Sequence, residues 1–282
     1  VARLEVVGAD VRFGGIHALR RADLAVERGT VTGLIGPNGA GKTTMFNVIC
    51  GLQPVHAGRV LFGGRDLGSL RPHRRARLGI ARTFQRLEIF GSLTVRENVL
   101  AAAEVRRRWA RDHSNPKAVT DAVLDLVGLA SLSSRRAETL PTGQARLLEL
   151  GRALATRPTL LLLDEPSSGL DETESDELGD LLVRLAAAGM GILLVEHDME
   201  LVMRVCSTIS VLDFGAVLAT GSPEEIRRDE RVRAAYLGTG DSAGDGPGDG
   251  PGVSGDPPGT DASAAVGDTP RPVRTETADV LA

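Results

Sequence analysis

Aromatic side chains are scarce in this sequence, at 3% of residues, with one Trp and one Tyr. A core must therefore rest mainly on Leu, Val, Ile and Ala, and a chain of 282 residues with 42% hydrophobic content supplies enough of them. Only two cysteines occur, Cys50 and Cys206, far apart and without a CxxC neighbour. That argues against a disulfide framework or a cysteine-based metal site and fits a reducing compartment. No stretch approaches the ~20 apolar residues of a membrane span. The first ten residues alternate apolar and polar like a strand, not basic-then-apolar like a secretion signal, so a cytoplasmic protein is expected. A dominant charge is missing as well. The formal net charge is -4, and eight acidic residues against two arginines follow Gly238, which leaves the body slightly positive. The basic clusters Arg71–Arg77 and Arg106–Arg108 read as solvated helical faces, so no nucleic-acid partner is expected.

What is present alternates short apolar runs with helical patterns, the arrangement of an α/β protein. Val31–Ile35, Leu160–Leu163 and Gly191–Val195 read as buried strands of a mainly parallel core sheet. Leu4–Val11 and Ala22–Val26 read instead as an antiparallel sheet joined by turns. Lys42–Cys50 reads as a helix that Gly51 stops. From about Val95 to Ala137 the composition favours helix and carries the lone Trp109, which suggests an inserted helical subdomain. Beyond Gly238 the chain turns to Gly, Pro and Asp, as in GDGPGDGPG at Gly244–Gly252, and disorder is expected because little apolar surface offsets the ordering entropy.

The strongest motif is Gly36-Pro37-Asn38-Gly39-Ala40-Gly41-Lys42-Thr43-Thr44, which matches GxxxxGK[ST] after a buried strand. Its glycines let backbone N–H groups turn inward around phosphate oxygens, and the following helix aims its positive dipole end at the same anion. Lys42 would reach the terminal phosphates and the Thr43 hydroxyl would ligate Mg2+. Leu160-Leu161-Leu162-Leu163-Asp164-Glu165 supplies a buried strand ending in two acids at the carboxyl edge of the sheet. Asp164 would hold the metal through water, and Glu165 would polarise the attacking water.

Together these residues resemble the ATP-binding cassette (ABC) family over nearly all of residues 1–238. The resemblance implies a P-loop NTPase fold: a mainly parallel core sheet, an antiparallel β subdomain and an inserted helical subdomain at about residues 86–150. The acidic tail would be residues 239–282. It implies an ATPase that uses ATP and Mg2+ to drive transmembrane transport. Phe13 sits where the family places an aromatic that stacks on adenine, though a strand-core role stays open beside it. Gln85, in ARTFQ, looks like the glutamine that bridges the metal or nucleophilic water and the membrane-facing subdomain. His197, in VEHDM, matches the histidine that holds the γ-phosphate and water. Ser168-Gly169-Leu170-Asp171 resembles the loop that lies against a partner subunit. The other histidines, His17, His56, His73 and His113, are assigned no chemistry.

One motif departs from the family. Its signature normally reads LSGGQ and faces ATP held by the other subunit, whereas this chain has Leu140-Pro141-Thr142-Gly143-Gln144. Pro141 removes a hydroxyl and a backbone N–H, while Gly143 and Gln144 remain. A second ABC ATPase subunit, with a heterodimer favoured, is therefore expected, together with two transmembrane permease subunits and, indirectly, a periplasmic or extracellular substrate-binding protein. The chain would sit on the inner face of the membrane through those permeases. ARTFQ, VEHDM and the ending GSPEEI through RAAYLG resemble the ATPases of branched-chain amino acid importers, with urea and amide importers and lipopolysaccharide exporters close by. Leu87, Ile89 and Phe90 are expected either to meet a permease helix or to pack inside the subdomain.

Overall fold

The computed structural model describes residues 2–110 and 113–237. The expected acidic tail lies outside the described residues.

β1 (Ala2–Phe13) and β2 (Ile16–Glu27) form an antiparallel hairpin longer at both ends than the alternation suggests. The inward residues of β1 are Leu4 and Val6, then Ala9 and Val11, so the alternation changes phase between Val6 and Ala9. A register shift at that point absorbs the extra residue, with Gly8 at φ 60. β3 (Val31–Ile35) leads through the glycine-rich turn into α1 (Lys42–Cys50), which ends at Gly51 in the left-handed conformation. β4 (Ala57–Phe62) and β5 (Arg65–Asp66) complete a four-stranded antiparallel sheet in the order β2-β1-β4-β5.

After α2 (Pro72–Arg77) and β6 (Ile80–Arg82) comes the helical region: α3 (Val95–Ala110), α4 (Pro116–Leu126) and α5 (Thr142–Leu154). Val99 of α3 and Val123 of α4 both approach Gly151 of α5, where a Cβ would find them 3.7 and 3.4 Å away. Helix does not persist to Ala137. Gly128, at φ 71, breaks it, and the chain to Leu140 is turns and two short 3-10 segments.

The remaining elements are β7 (Leu160–Asp164), α6 (Glu172–Ala187), β8 (Gly191–Val195), α7 (Met199–Val205), β9 (Thr208–Asp213), β10 (Ala216–Gly221), α8 (Pro223–Arg228) and α9 (Glu230–Leu237). The second sheet runs β10-β9-β3-β8-β7-β6 and is parallel except for β10. Its central strands are buried on both faces. Leu161, Leu163, Ile192 and Leu194 face one core with α5 and α6, and Leu160, Leu162, Leu193 and Val195 face another with α1 and the antiparallel sheet. This is why these strands read as unbroken apolar runs. Four parallel strands, β3, β6, β7 and β8, end at the same edge, so the loops that follow them meet there.

Candidate active site

A cavity of about 510 Å3 opens at that edge. Asn38, Gly39, Ala40, Gly41, Lys42, Thr43 and Thr44 line it after β3; Asp164 ends β7 and Glu165 follows it, His197 follows β8 and Gln85 follows β6. Gly36 and Pro37 stand behind this wall and act through their carbonyls, which accept hydrogen bonds from Lys42 Nζ (3.1 Å to Pro37). The turn is sterically obligatory. A Cβ on Gly36 would lie 2.0 Å from the Leu212 carbonyl oxygen, and one on Gly41, at φ 109, 2.5 Å from that of Ala18. Gly41 caps α1 without a side-chain bond, leaving the first helical N–H groups directed at the cavity for an anion.

Burial lowers the affinity of Lys42 for its proton, and the charges of Glu165 and Asp164 act the other way. Burial likewise holds the Asp164 carboxyl above its ordinary range, against the pull of a hydrogen bond from Arg82. Glu165 Oε1 lies 2.8 Å from His197 Nε2 and 3.5 Å from Gln85 Nε2, so the three side chains expected to handle water converge. Glu165 has φ 52, a left-handed conformation unusual for a residue with a Cβ. Its N–H still donates to the Val195 carbonyl (2.9 Å), which extends the ladder by one residue and turns the side chain out at the sheet edge. Strain of this kind costs roughly 1–3 kcal/mol and concentrates at functional sites.

Oxygen donors available to a metal are the Thr43 hydroxyl, the Asp164 carboxylate and the Gln85 amide, a hard set suited to Mg2+. Among the described residues no group of three His, Cys, Asp or Glu side chains forms a metal cage. A magnesium ion that keeps waters and phosphate oxygens as its other ligands needs none.

Four expected residues, Phe13, Gly143, Gln144 and Asp171, do not line this cavity. Gly143 and Gln144 lie in the first turn of α5, and Asp171 caps α6 with a capping box to Glu174. Gly143 packs against the loop before α6: a Cβ there would lie 2.7 Å from Leu170 and 2.9 Å from the Gly169 carbonyl oxygen. Gln144 Oε1 is buried with no hydrogen-bond partner among the described residues. Pro141 is the N-cap of α5 and contributes no side-chain bond. Phe13 is 49% exposed, which removes the strand-core reading, and it pairs across the hairpin turn with Ile16, which lines the cavity while Phe13 does not.

Other residues at the site carried no distinctive sequence signal. His17 lines the cavity and bonds Asp10 (2.8 Å), and Phe214 lines it from the β9–β10 turn. Glu196, buried, accepts N–H bonds from Ser167 (2.8 Å) and His197 (3.2 Å), tying the loops after β7 and β8 together. Its burial raises its pKa. Glu149 of α5 accepts the Phe84 N–H (3.1 Å), while Arg146 donates to the Phe84 (2.7 Å) and Gln85 carbonyls and Arg152 to that of Glu88. The helix that begins with the signature therefore grips the loop that carries Gln85.

On the outer side of that loop lies an apolar groove of about 610 Å3, lined by Phe84, Phe90, Val105, Trp109 and Leu52 among others. Phe90 is half exposed in it; Ile89 packs against the helical core.

Residues 19–168 match the family model described as ABC transporter. This chain belongs to the ABC transporter family. Residues 216–242 match a second model, described as branched-chain amino acid ATP-binding cassette transporter. The chain is similar to the high-affinity branched-chain amino acid transport ATP-binding protein BraF of Pseudomonas aeruginosa, 41% identical over 83% of this chain and 97% of the relative. LivG of Escherichia coli K12, with the same description, is 38% identical over the same shares. Among solved structures, the ADP conformation of the ATP-binding cassette MJ1267 superposes with a TM-score of 0.75 at 29% identity, covering 84% of this chain and 99% of that one. The chain is thus an ABC cassette that binds nucleotide and hydrolyses ATP in support of transport. No helix among the described residues is long and apolar enough to cross a membrane, and subunits of this family associate with membrane-embedded permeases.

Proposed function

We propose that this ABC ATPase energises the uptake of branched-chain amino acids. The observation that carries the reading is the coincidence of the 216–242 match with BraF and LivG similarity along most of the chain. Lys42 and the N–H groups of the phosphate loop bind the triphosphate. Phe13 offers its exposed ring to the base. Glu165 accepts a proton from the attacking water, and His197 and Gln85, both within reach of Glu165 Oε1, fix that carboxylate. Thr43, Asp164 and Gln85 hold Mg2+, which when bound neutralises charge on the phosphate oxygens.

The site is incomplete within one chain. Gly143, Gln144 and Asp171 do not line the cavity, which fits a signature that serves nucleotide on a second ATPase subunit. Pro141 weakens that service, since losing a charge-assisted donor costs about 1.5–3 kcal/mol. An asymmetric heterodimer follows, its stronger site formed by this chain's phosphate loop and the companion's signature. The apolar groove receives a helix from one of two permeases, the companion ATPase serving the other, and a substrate-binding protein outside the membrane delivers the amino acid.

Complementation tests the reading. In cells lacking the native ATPase but keeping its permeases and receptor, the chain should restore leucine uptake. Glu165→Gln should abolish turnover while nucleotide binding persists, and Lys42→Ala should abolish both. Uptake of urea but not leucine would reassign the cargo. Full, symmetric two-site hydrolysis by the purified chain alone would refute the heterodimer.

A further inference from the structure

Arg82 closes β6 three residues before Gln85, and its side chain is 7% exposed. Its guanidinium reaches Asp164 Oδ2 through Nη2 (3.1 Å), Asn47 Oδ1 through Nη1 (2.7 Å) and the Thr83 carbonyl through Nε (3.2 Å). It also stacks on two rings, with centroids at 5.1 Å for Phe46 and 4.9 Å for Phe84. Phe46 is buried on α1, the helix of the phosphate loop. Phe84 is 40% exposed and lines the apolar groove, as does Arg82 itself.

Stability is a weak reason for this arrangement. A buried ion pair loses in desolvation much of what it gains in attraction, and an apolar side chain would fill the space between two phenyl rings at less cost. Orientation is a better reason. A planar guanidinium with three separate polar anchors is fixed in position, and it occupies one oxygen of the Asp164 carboxylate. The carboxylate plane is thereby set, and the second oxygen is left for the cavity that Lys42 and Thr43 also line. The backbone reinforces this, because the Asp164 N–H donates to the Thr83 hydroxyl (3.2 Å).

We propose that Arg82 is a positioning residue: it fixes the Asp164 carboxylate toward the phosphate loop and, through its stack on Phe84, ties that orientation to occupation of the apolar groove. The inference rests on the reading of Asp164 as a metal-holding carboxylate. A permease helix that presses on Phe84 moves the ring that supports the guanidinium, and the guanidinium carries the displacement to Asp164. The path has two side-chain contacts and does not pass through Gln85.

Manganese affinity tests this, followed by electron paramagnetic resonance in the presence of a non-hydrolysable ATP analogue. Nucleotide affinity in EDTA and the melting temperature are measured alongside. Arg82→Met keeps the stack's bulk and removes the charge. It should weaken manganese binding by about tenfold, the worth of one charge-assisted hydrogen bond, with metal-free nucleotide affinity within about twofold of the parent. Arg82→Lys should recover part of the loss. Phe84→Leu, which leaves the ion pair intact, should weaken manganese binding by about threefold. Unchanged manganese affinity in folded Arg82→Met, or an equal fall in metal-free nucleotide binding, overturns the positioning role. Unchanged affinity in Phe84→Leu overturns the tie to the groove and stands even if Arg82→Met does not fold. Asp164→Asn is the control: if it leaves manganese binding intact, the reading of Asp164 fails instead.

Discussion

Truncating Glu149 should uncouple the signature helix from the loop that carries Gln85, and the structure fixes how costly that is. The Glu149 side chain is 6% exposed and Arg146, its ion-pair partner at 3.5 Å, is 9% exposed. Burial raises the Glu149 pKa despite the Phe84 N–H bond and the charges of Arg146 and Arg152, so desolvation outweighs the attraction that the carboxylate enjoys. Removing only the charge should therefore be cheap. In Glu149→Gln the amide oxygen still accepts the Phe84 N–H, and the loss should be about 1 kcal/mol or less. Removing the group is different. Glu149→Ala leaves the Phe84 N–H without its acceptor and the largely buried Arg146 without its ion-pair partner, a situation that costs about 3–5 kcal/mol.

Urea unfolding of the two variants measures the contrast, and its pH dependence supplies a sign. A carboxyl whose folded pKa is raised binds protons more readily when folded. Its contribution is full below the unfolded pKa, near 4.5, and is lost as pH rises through the folded value. The parent should therefore lose stability relative to Glu149→Gln as pH rises above about 4.5. Turnover should fall in Glu149→Ala by more than the unfolded fraction explains, with nucleotide affinity kept, because the released segment is that of Gln85 and not the phosphate loop. Equal destabilisation by Ala and Gln would refute the argument, since the acceptor would then matter no more than its charge.

Three further substitutions test the scaffold around the cavity. Arg75 is buried and donates to the carbonyls of Val48 and Ile49 (both 2.8 Å) at the end of α1 and to those of Leu67 (2.9 Å) and Leu70 (3.0 Å), so Arg75→Met should cost about 3 kcal/mol in urea unfolding. A Cβ on Gly51 would lie 2.6 Å from Arg75 Nε, so Gly51→Ala should be markedly less costly once Arg75 is shortened, giving a coupling above about 0.5 kcal/mol in the double-mutant cycle. Phe214 holds φ 41 while 76% exposed, so Phe214→Asn, which tolerates that conformation, should raise stability by about 1 kcal/mol in thermal melting; a lower melting temperature would show that the ring earns its place by packing.

How much of this was legible in the sequence depends on how locally each feature is encoded. The phosphate loop lies in nine consecutive residues, because a strand, a turn and a helix start are all that a phosphate cradle needs, and the structure places Lys42, Thr43 and Thr44 where that order requires. Asp164 and Glu165 were legible for a similar reason: a fully buried strand can end in two acids only where its edge meets solvent or a ligand. The phase change at Gly8 was not legible, since the bulge depends on pairing with β2, and the break at Gly128 was hidden in a segment of otherwise helix-favouring composition. The least visible residues were Arg82, Glu149 and Glu196. Each is a charged side chain that looks like surface in one dimension. Each is buried because its partner, Asp164, the Phe84 N–H or the Ser167 N–H, arrives from 82, 65 or 29 residues away. Local patterning reports what a segment does with its own neighbours. The groups that set geometry between loops are specified by the topology that brings four strand ends to one edge, and they become visible only when that edge has been built.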